Sequence, residues 1–282
     1  MKKERFDLVF GLGAGCSCSM MLRERGLQLA SFPLDWVGTP DLGASADIRS
    51  KADIVAGGFR NWFLLENLER APQFDSPKFL GYFDRGTGLY FTHDFDVGSD
   101  LCRDYPAASE KYARRIARFA KLLGGARRAL AVWVNDPRIP GEVCADDLVY
   151  CVRALSRAYP ATEFRLLAAN CSHGIRPEAM RVERGDGYEC VSFDYRVVTD
   201  GEPIWEVRRD LFAPLLDRFE SADYRTFAER RANAKRERAR DMEKFKATSA
   251  LDLLATKLKF KLYRHLKRKL ERKGVLDGEE RS

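Results

Sequence analysis

The chain has 282 residues, of which 45% are hydrophobic, so it is long and apolar enough to bury a sizeable core rather than remain disordered. No run of 18 apolar residues occurs, so we predict no membrane-spanning helix. The seven cysteines include no CxxC pair, which argues against a zinc knuckle or a disulfide framework and favours a reducing compartment, the cytoplasm.

The net charge of +7 is unevenly distributed along the chain. Residues 223–282 hold 19 Lys and Arg against 10 Asp and Glu, whereas residues 1–222 hold 30 against 32. We therefore predict an α/β domain over residues 1–222 and a basic helical tail over residues 223–282. Because the first domain is nearly neutral, we expect no nucleic-acid partner.

The N-terminal sequence MKKERFDLVFGLGAGC imitates a lipoprotein signal. Asp7 interrupts its apolar run, and Gly13 stands three residues before Cys16, where such a signal has a large aliphatic residue. We therefore interpret FDLVFGL, residues 6–12, as a buried strand closed by glycines.

Strands and helices alternate through the rest of the first domain. The predicted strands are 6–12, 28–32, 88–95, 129–135, 164–170 and 188–196, the last at a sheet edge. One predicted helix starts near Ser17 or Ser19, a second is broken near Gly57 and Gly58, and two more cover 108–123 and 146–159. This order indicates an α/β fold with a mainly parallel sheet flanked by helices, followed by a C-terminal basic helical extension.

Functional groups of parallel sheets gather outside the carboxyl ends of the strands. Cys16, His93, Asn135 and His173 follow such predicted ends. Cys16 would open a helix, where unpaired N–H groups favour a thiolate and a developing oxyanion, with Gly13, Gly15 and Ser17 supplying the backbone around it. The alternatives are a phosphate or nucleotide site in the Gly11–Ser17 turn and an inert buried cysteine.

A cysteine nucleophile needs an imidazole partner, and that partner benefits from an orienting acid or amide. His93 is the first candidate base, with Asp94, Asp96 or Asp35 as the orienting acid, and His173 is the alternative base. Trp36 and Asn135 are candidate substrate-binding residues.

The tail contains a leucine stripe surrounded by lysines and arginines, which predicts a basic amphipathic helix over residues 249–273. Its leucines are Leu251, Leu254, Leu258, Leu262, Leu266 and Leu270. Such a helix suits either an anionic membrane surface, which would place the protein at the inner membrane face, or a protein partner.

Several of these motifs, in this order, resemble a bacterial family described as papain-like cysteine peptidases of unknown function. The motifs are GLGAGCS, SFPLDW at residues 31–36, HDF at residues 93–95, and the paired arginines Arg114 and Arg115. Leu34 departs from the family's usual phenylalanine, and Gly11 stands where a serine is common. The resemblance covers about residues 6–135 and implies Cys16 as nucleophile and His93 as base.

The resemblance and the predicted elements imply different folds. A papain-like fold pairs a helical lobe with an antiparallel barrel, whereas residues 108–170 have the pattern of a parallel α/β sheet, similar to lipase-like esterases with a nucleophile after the first strand. We expect a cysteine-dependent hydrolase or acyl transferase that needs no metal or cofactor and acts on a peptide, small-molecule or glycan acyl group.

The family's association with surface-polysaccharide enzymes implies a role in that metabolism. The competing hypotheses are a non-catalytic phosphate- or nucleotide-binding protein and a membrane-associated scaffold for glycan-assembly enzymes.

Overall fold

The chain divides into two units, Met1–Tyr224 and Arg225–Ser282. A computed structural model describes residues 2–13, 15–39, 42–196, 209–248 and 261–266. The strands of the first unit are β1 (Glu4–Phe6), β2 (Leu8–Gly11), β3 (Val37–Gly38), β4 (Leu68–Arg70), β5 (Phe79–Asp84), β6 (Leu89–Asp96), β7 (Arg128–Val134), β8 (Glu163–Cys171), β9 (Arg181–Gly185), β10 (Tyr188–Phe193) and β11 (Phe219–Ser221).

The first unit contains five α-helices within its described residues: α1 (Gly15–Glu24), α2 (Ala44–Ala56), α3 (Leu101–Gly125), α4 (Ala145–Ala158) and α5 (Arg209–Leu216). The predicted helix break at Gly57 is confirmed, because Gly57 is the C-cap of α2.

The largest sheet has five strands in the order β2-β7-β8-β10-β9. Its first four strands are parallel, and β9 pairs antiparallel with β10. Successive side chains point to opposite faces, so Phe10 and Trp133 lie in one core cluster, with residues of α2, α3 and α4, and Val9 and Val132 lie in the other, with residues of α1 and α5. Burial on both faces explains why these strands are nearly continuous apolar runs.

A separate sheet has four antiparallel strands in the order β3-β6-β5-β4. A third, small sheet pairs β1 with β11 in parallel. The protein is therefore an α/β protein, as predicted, but "mainly parallel" describes only its five-stranded sheet.

Three details of the predicted strands are wrong. His93 does not follow the end of a parallel strand, because it lies inside β6 of the antiparallel sheet. Residues 28–32 form no strand, since Gln28 and the Phe32 backbone N–H bind the Asp35 carboxylate instead. β10 is not at an edge, because it lies between β8 and β9.

The described part of the second unit is helical. It comprises α6 (Phe227–Thr248) and residues 261–266, where Leu262 and Leu266 are exposed. The rest of the predicted 249–273 helix lies outside the described residues. None of the helices within the described ranges is long and apolar enough to cross a membrane.

Candidate functional site

Cys16 is the second residue of α1, which follows the turn after β2. Its side chain is partly buried, and burial is the largest influence on the thiol, raising its pKa. The Cys16 backbone N–H, the Ser17 hydroxyl and the Arg138 guanidinium lower this pKa, and the Asp136 carboxylate raises it. The pKa remains above its ordinary value, so the resting thiol is protonated at neutral pH.

Gly13 and Gly15 precede Cys16, and glycine is required at each of these positions for a different structural reason. Gly15 has a φ of +50°, which an L side chain rarely adopts. At Gly13 a Cβ would lie 2.3 Å from the indole of Trp133, which is fully buried. The turn before the nucleophile candidate is thus held in place by a tryptophan of the neighbouring strand β7.

The carboxylate of Asp35 is buried beneath the site and bound on several sides. It lies 2.8 Å from an Arg23 Nη atom of α1 and accepts hydrogen bonds from Gln28 Nε2 and from the backbone N–H of Phe32. None of its hydrogen bonds among the described residues goes to His93. Asp35 therefore ties α1 to the 3-10 turn Pro33–Trp36.

Trp36 lies between α1 and His93. The Arg23 guanidinium carbon is 5.7 Å from the centre of the Trp36 ring, and the ring centres of Trp36 and His93 are 5.8 Å apart in an edge-to-face contact. Phe79 makes a second edge-to-face contact with His93, at 5.7 Å. His93 is nevertheless exposed to solvent. Partial desolvation of the imidazole is the largest influence on its pKa and lowers it, while Asp94 raises it and Lys111 lowers it.

His93 lies at an irregularity of β6. Leu80 pairs with Phe95 but Tyr82 pairs with Phe91, so β6 carries extra residues between these two pairs. Such bulges redirect side chains and are frequent beside active sites.

The two aspartates next to His93 have other roles. Asp94 forms an ion pair with Lys111 and accepts a hydrogen bond of 2.9 Å from the Tyr112 hydroxyl, both on α3. Asp96 is exposed at the end of β6. Among the described residues, neither carboxylate forms an ion pair or hydrogen bond with His93.

The N-terminus of α1 and His93 are connected through residues 36 and 37. A Cβ at Gly15 would lie 3.5 Å from the carbonyl oxygen of Val37, and Val37 pairs with Phe91 in β6. Cys16 and His93 are not hydrogen-bonded to each other within the described chain. Catalytic hydrogen bonds are often long in unliganded structures and shorten only with substrate.

The loop after β7 is a further part of the site. Asn135 is buried, and its Nδ2 donates to the carbonyl of Gly141 at 3.0 Å, while its Oδ1 has no partner among the described residues. The next residue, Asp136, is bound by Arg138. Arg138 was not predicted as a site residue, and its loop follows β7 at the same end of the sheet as Asn135.

His173 lies at the carboxyl end of β8, with Nδ1 3.4 Å from a carboxylate oxygen of Asp194. Asp194 also binds both the backbone N–H and the guanidinium of Arg196. No direct interaction joins this histidine to Cys16 within the described part of the chain. His173 therefore has the carboxylate partner that His93 lacks, but it belongs to a different group of side chains.

A buried charge network binds Trp133, the residue that packs against Gly13 in the turn before Cys16. The Asp47 carboxylate lies 2.7 Å from Lys51 Nζ and 2.7 Å from Trp133 Nε1, and it accepts a hydrogen bond from Thr39. This network was also missed. Its one signal is the spacing of four residues between an acid and a base on the predicted helix.

The described residues include a small apolar cavity that lies away from Cys16. A cavity of about 10 Å³ is lined by α1, β7, β8, β10 and α5 and does not reach Cys16; its lining includes Cys18, Met21, Leu22, Phe212, Leu215 and Leu216. No group of three or more His, Cys, Asp or Glu side chains able to hold a metal ion occurs in those ranges.

Comparisons with known proteins give one match. Curated proteins and solved structures show no significant similarity to the chain. Residues 7–174 match the family described as "Putative papain-like cysteine peptidase (DUF1796)". These residues include Cys16, Asp35, Trp36, His93 and Asn135. Because the match covers more than half of the sequence, the chain belongs to this papain-like cysteine peptidase family.

Proposed function

We propose that the protein is a cysteine hydrolase that cleaves an acyl bond, with Cys16 as nucleophile and His93 as base. The observation that carries the proposal is the position of a partly buried thiol at the N-terminus of α1, connected through Trp36 and Val37 to an imidazole on the antiparallel sheet. A nucleophile on a helix and a histidine on an antiparallel sheet is also the division expected of a papain-like protein.

The protonation states support a general-base mechanism rather than a preformed ion pair. The thiol of Cys16 has a raised pKa and the imidazole of His93 a lowered one, so both are neutral near pH 7. As the sulfur attacks the substrate carbonyl, the thiol proton passes to His93. A carbon–sulfur bond forms, the bond to the leaving group breaks, and the leaving group takes the proton from the imidazolium.

Water completes the cycle in this proposal. His93 takes a proton from the attacking water as the water oxygen bonds to the acyl carbon. The carbon–sulfur bond then breaks, the carboxylic acid leaves, and the imidazolium returns the proton to the thiolate. Backbone N–H groups at Gly15, Cys16 and Ser17 hold the oxyanion in both steps, because the first turn of a helix leaves its N–H groups unpaired. The same thioester could instead pass its acyl group to an acceptor other than water, which would make the protein an acyl transferase. A role in surface-polysaccharide metabolism stays a prediction.

The competing phosphate-binding hypothesis has weaker support. In a phosphate-binding loop the glycines leave room for the ligand to approach the backbone. Here the space beside Gly13 is filled by the Trp133 indole, so this glycine serves internal packing.

The test is acylation of Cys16 by p-nitrophenyl acetate, followed by p-nitrophenol release and by mass analysis of the Cys16 peptide. We expect acetylated Cys16 in the wild type and none in Cys16→Ala. His93→Ala should acylate roughly 10²- to 10⁴-fold more slowly, the usual contribution of a general base.

His173→Ala is the matched control, because His173 is the other candidate base. It should acylate at nearly the wild-type rate. A loss in His173→Ala but not in His93→Ala would reassign the base, and a wild-type protein in which Cys16 stays unmodified while Cys102, which is exposed, is acetylated would refute the hydrolase.

A further inference from the structure

The loop that follows β7 is held by hydrogen bonds and leaves the sheet next to the segment that leads from β2 to Cys16. The Asp136 carbonyl accepts the backbone N–H of Ile139 at 2.8 Å, and the Pro140 carbonyl accepts that of Ala44 at 3.0 Å. Together with the bond from Asn135 to Gly141, these contacts fix the loop to itself and to α2.

The register of the sheet brings this loop and the Cys16 turn together. β2 and β7 are adjacent parallel strands, with Gly11 level with Val132. The backbone N–H of Leu12 still binds the Val132 carbonyl at 2.7 Å, and Gly13 lies against Trp133. Neighbouring strands are about 4.8 Å apart, so the two chain segments leave the sheet side by side.

Arg138 is held in this loop by Asp136 but faces solvent. Its Nε and Nη2 lie 2.9 and 2.6 Å from the two carboxylate oxygens of Asp136. The Arg138 side chain is 88% exposed and that of Asp136 only 18%. A guanidinium has five N–H donors, and Nη1 of Arg138 has no hydrogen bond within the described chain, so donors remain for a ligand.

We propose that Arg138 binds a carboxylate of the substrate, so that the protein prefers acyl groups that carry a carboxylate a few bonds from the carbon attacked by Cys16. This inference rests on the proposed hydrolase. The bidentate contact with Asp136 already fixes the guanidinium, so little side-chain entropy is lost on binding. Guanidinium and carboxylate are well matched in geometry.

The position of Cys16 beside this charge is consistent with its electrostatics. Arg138 lowers the pKa of the thiol, and Cys16 in turn raises the pKa of the guanidinium. A carboxylate bound by Arg138 would therefore lie in the vicinity of the sulfur.

The test compares alkylation of Cys16 by iodoacetate and by iodoacetamide, which differ in charge but attack the same thiolate. The ratio of the two rates is independent of the thiol pKa, since the thiolate fraction cancels. In Arg138→Gln we expect this ratio to fall roughly fivefold at low ionic strength, the effect of one unit charge about 4 Å away in water. Arg138→Lys should keep most of the preference, and added salt should reduce it.

Two controls accompany the measurement. Cys102 is exposed on α3, and its ratio should be the same in every variant. Arg157→Gln removes an equal charge from the last turn of α4, which precedes the amino end of β8 and so lies away from the carboxyl ends of the strands. This substitution should leave the ratio of the two Cys16 alkylation rates unchanged.

The outcomes separate this inference from the proposed function. A Cys16 that reacts with both reagents at an unchanged ratio in Arg138→Gln overturns the carboxylate site alone, as does an equal fall in Arg157→Gln. A Cys16 that reacts with neither reagent overturns the nucleophile and, with it, the carboxylate site.

Discussion

The Cys16 thiol is subject to opposing influences from residues that are far apart in the sequence. Burial and the Asp136 carboxylate favour the neutral thiol, whereas Arg138 and the first turn of α1 favour the thiolate. Because burial dominates, the thiolate forms mainly when a base takes the proton. Asp136 and Arg138 are bound to each other, so each limits the effect of the other on the sulfur.

Asp136→Asn should lower the pKa of Cys16, because it removes a negative charge that raises this pKa. A lower thiol pKa means more thiolate at a given pH, so the midpoint of iodoacetamide alkylation should move to lower pH. Arg138→Gln should move the same midpoint to higher pH. The measurement is the pH dependence of the Cys16 alkylation rate, determined by peptide mass.

The two variants are each other's control, because they remove opposite charges from one ion pair. Neither substitution changes the burial of the sulfur, so the difference between the two midpoints reports the effect of the two charges. Shifts in the same direction in both variants would mean that loop rearrangement, and not charge, controls the thiol.

Strand β6 carries His93, and helix α3 holds β6 in place through Asp94. Asp94 is 2% exposed, and its contacts with Lys111 and Tyr112 attach the strand to the long helix. The irregular pairing of β6 with β5 includes His93 and Asp94. The contacts of Asp94 with α3 therefore hold β6 in place directly beside His93. Asp94 is therefore a positioning residue for His93 in the proposed mechanism.

Asp94→Asn should destabilise the protein by about 1–3 kcal/mol, because it removes the charge that satisfies a partly buried lysine and weakens a buried hydrogen bond. The measurement is the midpoint of unfolding in urea. Asp96→Asn, two residues further on and exposed, should change stability by less than about 0.5 kcal/mol. Equal effects of the two substitutions would contradict the anchoring role of Asp94.

The elements that could be predicted from the sequence are those whose pattern follows from burial. β7 and β8 are apolar along most of their length because both faces of the sheet are covered, and such runs are readable without tertiary information. β4 and β5 are short or interrupted by Gly81, and they depend on cross-strand contacts between residues distant in sequence. The antiparallel sheet was therefore missed.

The same limit applies to the site. Cys16 stands in a glycine turn after an apolar strand, which is a local signal. Arg138 has none, because an exposed arginine is common and only the pairing of β2 with β7 brings its loop beside Cys16. The partners of the Asp35 and Asp94 carboxylates, and the carboxylate partner of His173, likewise depend on contacts that no local pattern encodes.

The whole molecule combines a nearly neutral first unit with a strongly basic second one. Residues 223–282 carry nine more positive than negative charges. Leu262 and Leu266 are exposed and four residues apart, so they lie on one face of their helical segment. Because the tail has both a strong positive charge and exposed leucines on one helical face, we still predict that it attaches to an anionic membrane.

The full chain should sediment with phosphatidylglycerol vesicles but not with neutral phosphatidylcholine vesicles. Each basic residue near an anionic surface contributes about 1 kcal/mol, so replacing Lys257, Lys261 and Lys267 with glutamine should weaken binding roughly 100-fold. A chain ending at Tyr224 should not bind, and Arg157→Gln, which removes a charge from the first unit, should bind like the wild type. Equal binding to both kinds of vesicle, or full binding by the triple variant, would contradict attachment through charge, and binding to neither kind would contradict a membrane role for the tail.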